Sequence, residues 1–418
     1  MPLLLRTTPF LFAVGTLLGQ GALAPSDAPA PTQYSLEQIW ELVGRLEANN
    51  TQLRAAHTSQ QRLISALMAN QLAWQVESVR TYSGDETGEA YAYTDLALGP
   101  DGEPTIAYHE IDGTYFLNAQ HSILGWESTF SAYNQFLGTF ANIAFLPDGT
   151  RVAACYDSYD GDLVFTRQNG PFSWGVSDVD TAGDVGQFAS MAIAPDGHPA
   201  IAYYDATNKD LKYARHNGTT WTTETIAAAY TQTGTGTLVD DIGTYAELVF
   251  FEGRPLIACL EAGRVAPILA CYRFDGSAWQ REQVVTSVFG FAGLSMALDS
   301  VGAPNIAYGS NGTIYRASRN PSGNWGYTSS GNYGEFPSMA LAPDGNFAIA
   351  YRDTSDGSLK FDHPNSGGYA TTTIVDFGPD NGYYPSLVFG ADGLPRIAYY
   401  DNTSRSVKYA HRGIYREK

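Results

Sequence analysis

Acidic residues return at one position of a repeating phrase along this 418-residue chain: Glu110, Asp157, Asp205, Glu261, Asp353 and Asp401. Aromatic residues return at a second position: Tyr93, Phe140, Phe188, Tyr245, Phe336 and Tyr384. One copy breaks both columns, with Ser310 and Gly293. Carboxylates accept hydrogen bonds from hydroxyls, and aromatic rings cover the apolar faces of pyranoses. The pairing is the chemistry of sugar recognition. The alternative is structural. An Asp that opens a hairpin loop bonds the following backbone N–H groups as an Asx-turn, and an aromatic ahead of a strand packs between sheets. Recurrence in nearly every copy favours that alternative residue by residue.

Departures from the pattern are more specific. An extra loop, Ala227 to Gly243, carries Tyr230, Asp240 and Asp241, and its neighbour Glu261–Pro267 is also unlike its siblings. The residue before the acidic column varies: His109, Tyr156, Tyr204, Leu260, Gly309, Arg352 and Tyr400. His109, Arg352 and Tyr400 belong to the first, sixth and seventh copies, which are consecutive around a closed ring. The ligand-binding candidates are therefore His109, Glu110, Asp157, Tyr204, Asp205, Tyr230, Asp240, Asp241, Arg352, Asp353, Tyr400 and Asp401.

No catalytic set stands out. The 7 histidines lack metal-ligand spacing, and G-x-S-x-G, P-loop and EF-hand motifs are absent. His121, His216, His363 and His411 read as surface residues near strand ends. Asp157–Asp162 and Asp353–Gly357 resemble calcium loops in outline, but each is more simply a hairpin loop. No cofactor or metal is expected.

The elements that must position these residues follow from the repeat. Its clearest copy is Ser190-Met-Ala-Ile-Ala-Pro-Asp-Gly-His-Pro-Ala-Ile-Ala-Tyr-Tyr-Asp205. The turn glycines are Gly102, Gly149, Gly197, Gly253, Gly302, Gly345 and Gly393, at separations of 47, 48, 56, 49, 43 and 48. Such a period, rich in short strands, signals a β-propeller blade. The third copy predicts strands A to D, from the inside outward, at Ser190–Ala194, Ala200–Tyr204, Leu211–Ala214 and Trp221–Ile226. Trp126, Trp174, Trp221, Trp279 and Trp325 open D strands, with Tyr369 in the sixth copy. The seventh copy lacks a strand D, and Trp74–Arg80 supplies one from the front. The D–A and B–C loops share one face, where ligands are expected.

With 44% hydrophobic and 16% charged residues, 43 Gly and 27 Tyr, the chain is globular and strand-rich. A net charge of −19 repels phosphate backbones and excludes nucleic acid as a partner. Cys259 should face Ala270 while Cys271 points to the other sheet face, so Cys155, Cys259 and Cys271 are expected as buried thiols without a disulfide. Residues 1–24 read as an export signal, with Arg6 ahead of an apolar stretch and Ala22-Leu-Ala24 at the cut. The protein is thus expected to be secreted, periplasmic or at the cell surface. Residues 25–34 form a Pro/Ala linker. Residues 35–72 read as an amphipathic helix opened by a Ser35/Gln38 capping box. Its heptads give either an oligomerising coiled coil or a helix packed on its own propeller.

The phrase S-[ML]-A-[IL]-A-P-D-G-x-P-x-I-A-Y-Y-D…L-K-Y-A…W resembles repeats of secreted bacterial β-propellers, many of them lectin-like, over Trp74 to Arg412. It is distantly similar to sialidase-type propellers through Asn217-Gly-Thr-Thr-Trp221 and Asp275-Gly-Ser-Ala-Trp279. The leading Ser-x-Asp of the sialidase Asp-box is absent, so sialidase activity is not carried over. The expectation is an all-β, seven-bladed propeller (residues 73–413) whose last blade is closed by the N-terminal strand. It would bind carbohydrate without catalysis, made multivalent through residues 35–72. The alternatives are a protein-interaction platform, and a glycoside hydrolase or polysaccharide lyase using loop-face carboxylates.

Overall fold

The computed structural model describes residues 43–45, 50, 73–82, 93–109, 116–122, 125–130, 137–170, 173–228, 230–231, 238–263, 266–364 and 370–412. These fall in two units, Met1–Gln61 and Arg62–Lys418. In the first, residues 43–45 and 50 are helical. The export signal, the linker, the rest of the 35–72 segment, Tyr369, Glu110 and the side chains of Tyr230 and Asp240 lie outside the described residues.

The second unit consists of seven antiparallel sheets, six with four strands and one with five. Their A strands pack side by side in sequence order, the last against the first, and close a ring around a central channel. The seventh sheet joins Tyr383–Phe389, Pro395–Asp401 and Ser406–Arg412 to Trp74–Thr81, with Trp74 opposite Arg412. The N-terminal strand thus closes the last blade. All seven A–B turn glycines have positive φ, between 75° and 86°, where a side chain would be strained.

The Ile-Ala-Tyr-Tyr run is apolar throughout because strand B lies mid-blade and is buried on both faces. In the third blade every residue of Pro199–Asp205 is buried. Alternate residues feed different seams. Ile106 and Tyr108 join the core shared with the seventh blade, and Ala107 joins the core shared with the second. Seven apolar clusters result, one per seam. Cys259 pairs with Ala270 in register and lies in the core between blades 3 and 4, while Cys271 lies between blades 4 and 5. All three cysteines are free and buried. The strand D tryptophans reach the preceding blade, as Trp279 meets Tyr213 at 5.4 Å and Trp126 meets Tyr409 at 5.1 Å. The strand-end histidines are half-buried rather than superficial, and His121 and His216 rest against Trp126 and Trp221.

Each A strand is an inner sheet edge, with backbone N–H groups that no ladder satisfies. A girdle of side chains accepts them. Oδ2 of Asp95 takes the Ile143 N–H (2.8 Å) and Oδ1 of Asn142 that of Met191 (2.7 Å). Oγ of Ser190 takes Leu248, and the Glu247 carboxyl takes Met296. Oγ of Ser295, Ser338 and Ser386 take Met339, Leu387 and Leu96. Every blade is thereby tied to the next.

Replacing one acceptor should leave a buried donor unpaired, at a cost of about 1–3 kcal/mol. Ser338→Ala should lower the unfolding free energy by that amount and so shift the denaturation midpoint down, against no change for the exposed turn variant Ser322→Ala. Equal midpoints would show that the girdle adds nothing.

Candidate binding site at the channel mouth

The aromatic column is half-buried, with Phe336 and Tyr384 packed against one seam core and Tyr245 against another. Phe140, Phe188, Tyr245, Phe336 and Tyr384 all have positive φ, from 45° to 55°, and Gly293 occupies the same position at 86°. A left-handed backbone is costly for a bulky residue, about 1–3 kcal/mol each. The strand A register slips at the same place, between Thr139 and Asn142 and between Gln187 and Ser190. This bulge starts strand A earlier than the pattern predicts, at Val185 in the third blade, and re-aims the ring. The rings meet one another around the mouth. Centroids are 4.5 Å apart for Phe336–Tyr384, 4.2 Å for Tyr384–Tyr93, 4.8 Å for Tyr93–Phe140, 4.5 Å for Phe140–Phe188 and 4.8 Å for Phe188–Tyr245. Phe291 continues the collar beside Tyr245 at 5.0 Å, where Gly293 leaves a gap. The collar lines a hollow of about 180 Å³.

At the rim over blades 6, 7 and 1 the collar joins charged groups. Arg352 donates to Glu335 (2.6 Å) and Asp380 (3.0 Å), and its guanidinium lies 4.4 Å from the Tyr383 ring centre. Tyr383 donates its hydroxyl to Asp380 at 2.6 Å. Burial alone would raise the Asp380 pKa, but hydrogen bonds from Tyr383, Asn402 and Arg352 outweigh it and hold the carboxyl below its usual range. Tyr383 and Tyr384 lead to Tyr93, whose ring centre is 5.9 Å from His109. His109 is buried, Nδ1 has no partner among the described residues, and desolvation lowers its pKa to about 4. Arg352 and His109 are therefore linked through collar rings. Tyr400 sits deeper, opposite Tyr383 in register and inside the seam core.

The acidic column after strand B anchors loops. Oδ1 of Asp157, Asp205, Asp353 and Asp401 each accepts a backbone N–H from its own loop. Lys212, Lys360 and Lys408 pair with Asp205, Asp353 and Asp401. Glu261 takes the Tyr272 hydroxyl and both arms of Arg281. A second acid column, of which the sequence singled out only Asp241, faces the rim. Asp184, Asp241 and Asp380 each stand four residues before a collar aromatic. They bond Tyr156, Tyr204 and Arg352, the variable position. The 227–243 loop is partly a hairpin. Tyr230–Thr231 pairs with Leu238–Val239, adding a fifth strand to blade 4. The same face also displays Tyr159, Phe289, Tyr333 and Phe377, all exposed.

Below the collar the channel encloses about 300 Å³. Two girdle positions are carboxylates, Asp95 and Glu247. Burial is the main cause that raises both pKa values, and Glu247 reaches about 8, helped by the nearby Asp95.

No known family profile matches the sequence, and no curated protein sequence matches it. In fold the chain is similar to a PL25 ulvan lyase, a polysaccharide lyase bound to -[GlcA(1-4)Rha3S]-. Identity is 12%, coverage 77% of this chain and 94% of that one, and TM-score 0.55. It is similar to a fungal alcohol oxidase in complex with copper, at 10% identity, 82% and 76% coverage and TM-score 0.54. A fucose-specific lectin from Aleuria aurantia aligns at 14% identity, 70% and 98% coverage and TM-score 0.45. These are likenesses of fold.

A carboxyl whose folded pKa is raised stabilises the fold fully below its unfolded pKa, and that stability is lost as pH rises through the folded value. For Glu247 the window runs from about 4.5 to about 8. The melting temperature of the native protein should fall across it more steeply than that of Glu247→Gln. Parallel pH profiles would show that Glu247 is ionised in the folded state at neutral pH.

Proposed function

We propose that this protein is an exported, non-catalytic carbohydrate-binding propeller that takes a saccharide at the channel mouth. The observation that carries the reading is the collar, in which aromatic rings are held in a costly backbone conformation around an open hollow. Tyr384 and Tyr93 offer ring surface beside Arg352, Glu335 and Asp380, which supply donors and acceptors for hydroxyls. The exposed aromatics of the same face extend the platform. A polysaccharide lyase among the structural neighbours supports a saccharide ligand, while the copper-bound alcohol oxidase shows that the fold does not decide the chemistry.

The rim favours binding over glycoside hydrolysis. A general acid needs a raised pKa. Hydrogen-bonded partners hold Asp353, Asp380 and Asp401 below the usual range despite their burial. Raised values belong to Glu247 and Asp95, which are engaged in the girdle beneath the collar, and to Asp162 and Asp362, neither of which lines the collar hollow. Export through residues 1–24 and multivalency through residues 35–72 belong to the same proposal, since weak single sites gain from effective concentration.

A broad glycan array probed with the full chain, with a form starting at Ala73, and with Tyr384→Ala and Arg352→Leu tests it. The full chain should bind a glycan class. Each substitution should weaken binding at least about tenfold, or about 1.4 kcal/mol. The shortened form should lose avidity alone. Absence of binding by the full chain would overturn the proposal and move protein interaction to first place.

A further inference from the structure

A cavity larger than the mouth lies in the seam between blades 3 and 4, on the face of the A–B and C–D turns. It encloses about 460 Å³, within the range of small-molecule sites, about 300–1,000 Å³. Its origin shows in a comparison of seams. Glu77, Glu224 and Glu282 occupy one position of strand D, and each accepts the indole N–H of the next blade's Trp126, Trp279 or Trp325, at 3.0, 3.2 and 3.0 Å. Glu77 is also within 3.3 Å of His411 and 3.8 Å of His121. Glu282 is paired with Arg273 at 3.1 Å and Arg319 at 2.7 Å. Glu224 has its indole partner and no cation among the described residues.

The residues that would supply a cation have changed. Phe274 stands opposite Trp279 where Arg319 stands opposite Trp325. Arg215, equivalent to Arg273, turns away to Asp196 (2.5 Å to each oxygen) and to the carbonyls of His198 and Pro199. Ala194 takes the place of Phe251, over which the Arg319 guanidinium lies at 5.6 Å. The seam is left open. A second guanidinium, Arg254, lines it, exposed and bonded to the Asp275 carbonyl.

The formal charges of Asp196, Arg215, Glu224 and Arg254 cancel, so the cleft has no preference for an ionic ligand. It offers an acceptor, a donor and aromatic walls within one volume. A sugar ring is neutral, carries hydroxyls that donate and accept, and has an apolar face. We propose that this cleft is a second saccharide site for one neutral sugar residue. Glu224 accepts from its hydroxyls, Arg254 donates to them, and Trp279 and Phe274 flank the ring. The proposal rests on the carbohydrate reading of the protein but not on the mouth as the place of binding.

Saturation-transfer NMR of the full chain with the methyl glycosides of galactose, mannose, fucose and N-acetylglucosamine separates the two sites. At least one sugar should still bind Tyr384→Ala, and adding Glu224→Ala or Arg254→Ala to that variant should weaken the remaining binding at least about tenfold. Melting temperatures should be unchanged at these exposed positions, and Glu224→Gln should fall between, which separates lost contacts from lost fold. Signal abolished by Tyr384→Ala and untouched at Glu224 and Arg254 would overturn the cleft and keep the mouth. Signal lost only in the cleft variants would keep the cleft and sink the mouth. No signal with the native chain would overturn both.

Discussion

The hydrogen bond from the backbone of one A strand to a side chain of the blade before it is the constraint on which the rest of this molecule depends. A ring of sheets shields its inner edges from water, and an inner edge with unpaired N–H groups is costly there. The chain answers with a side-chain acceptor at one residue of each A strand, a serine in four of them. Ser190, Ser295, Ser338 and Ser386 are short enough to bond the neighbour without filling the channel. Once that register is fixed, the residues just ahead of it must bulge to meet the D–A loop. The bulge sets the left-handed turn, and the left-handed turn throws the aromatic ring toward the mouth. The collar is thus a consequence of how the ring is closed.

Closure also explains where chemistry can depart from repetition. A position that every blade uses for closure tolerates few residues, yet two blades place Asp95 and Glu247 where Ser would serve. Burial then holds both carboxyls toward the neutral form. Conversely, the acids after strand B recur because each ties down its own loop, which leaves little of them for a ligand. The rim acids differ. Among the described residues Glu335 is bonded by Arg352, and acceptor capacity is left over beside the aromatic rings.

The legible parts of the fold were local. A Gly in the A–B turn reports its own φ, and an unbroken Ile-Ala-Tyr-Tyr run reports a strand buried on both faces. Counting strand D tryptophans was enough to assign Trp74–Arg80 to the last blade, because a ring with one strand missing has one place for it. The girdle was less legible. Its serines stand in plain view in the repeat, but the donor for Ser190 is Leu248, a blade away, and nothing local marks the pairing. The collar left one clue: Gly293 occupies a position otherwise held by aromatics. A glycine there is the residue that a left-handed backbone selects, and it implies that the aromatics share that backbone. Arg352 was legible as a departure, whereas Glu335 and Asp380, its partners, lie on strand A and a D–A loop that the repeat alone does not align.

Charge ties the mouth to the seam. The chain carries 43 acidic and 24 basic residues, so an unpaired cation would draw a carboxylate from anywhere nearby. Arg352 and Arg215 are held by carboxylates of their own neighbourhood. A bound anion would have to displace those partners and would meet a negative surface on approach. A cation would find the rim carboxylates engaged with Arg352. What remains open at both places is hydrogen-bonding capacity around fixed charges, set against aromatic rings. That combination discriminates by hydroxyl geometry rather than by charge, and it is the same physical selection whether it is made once at the mouth or twice around the ring.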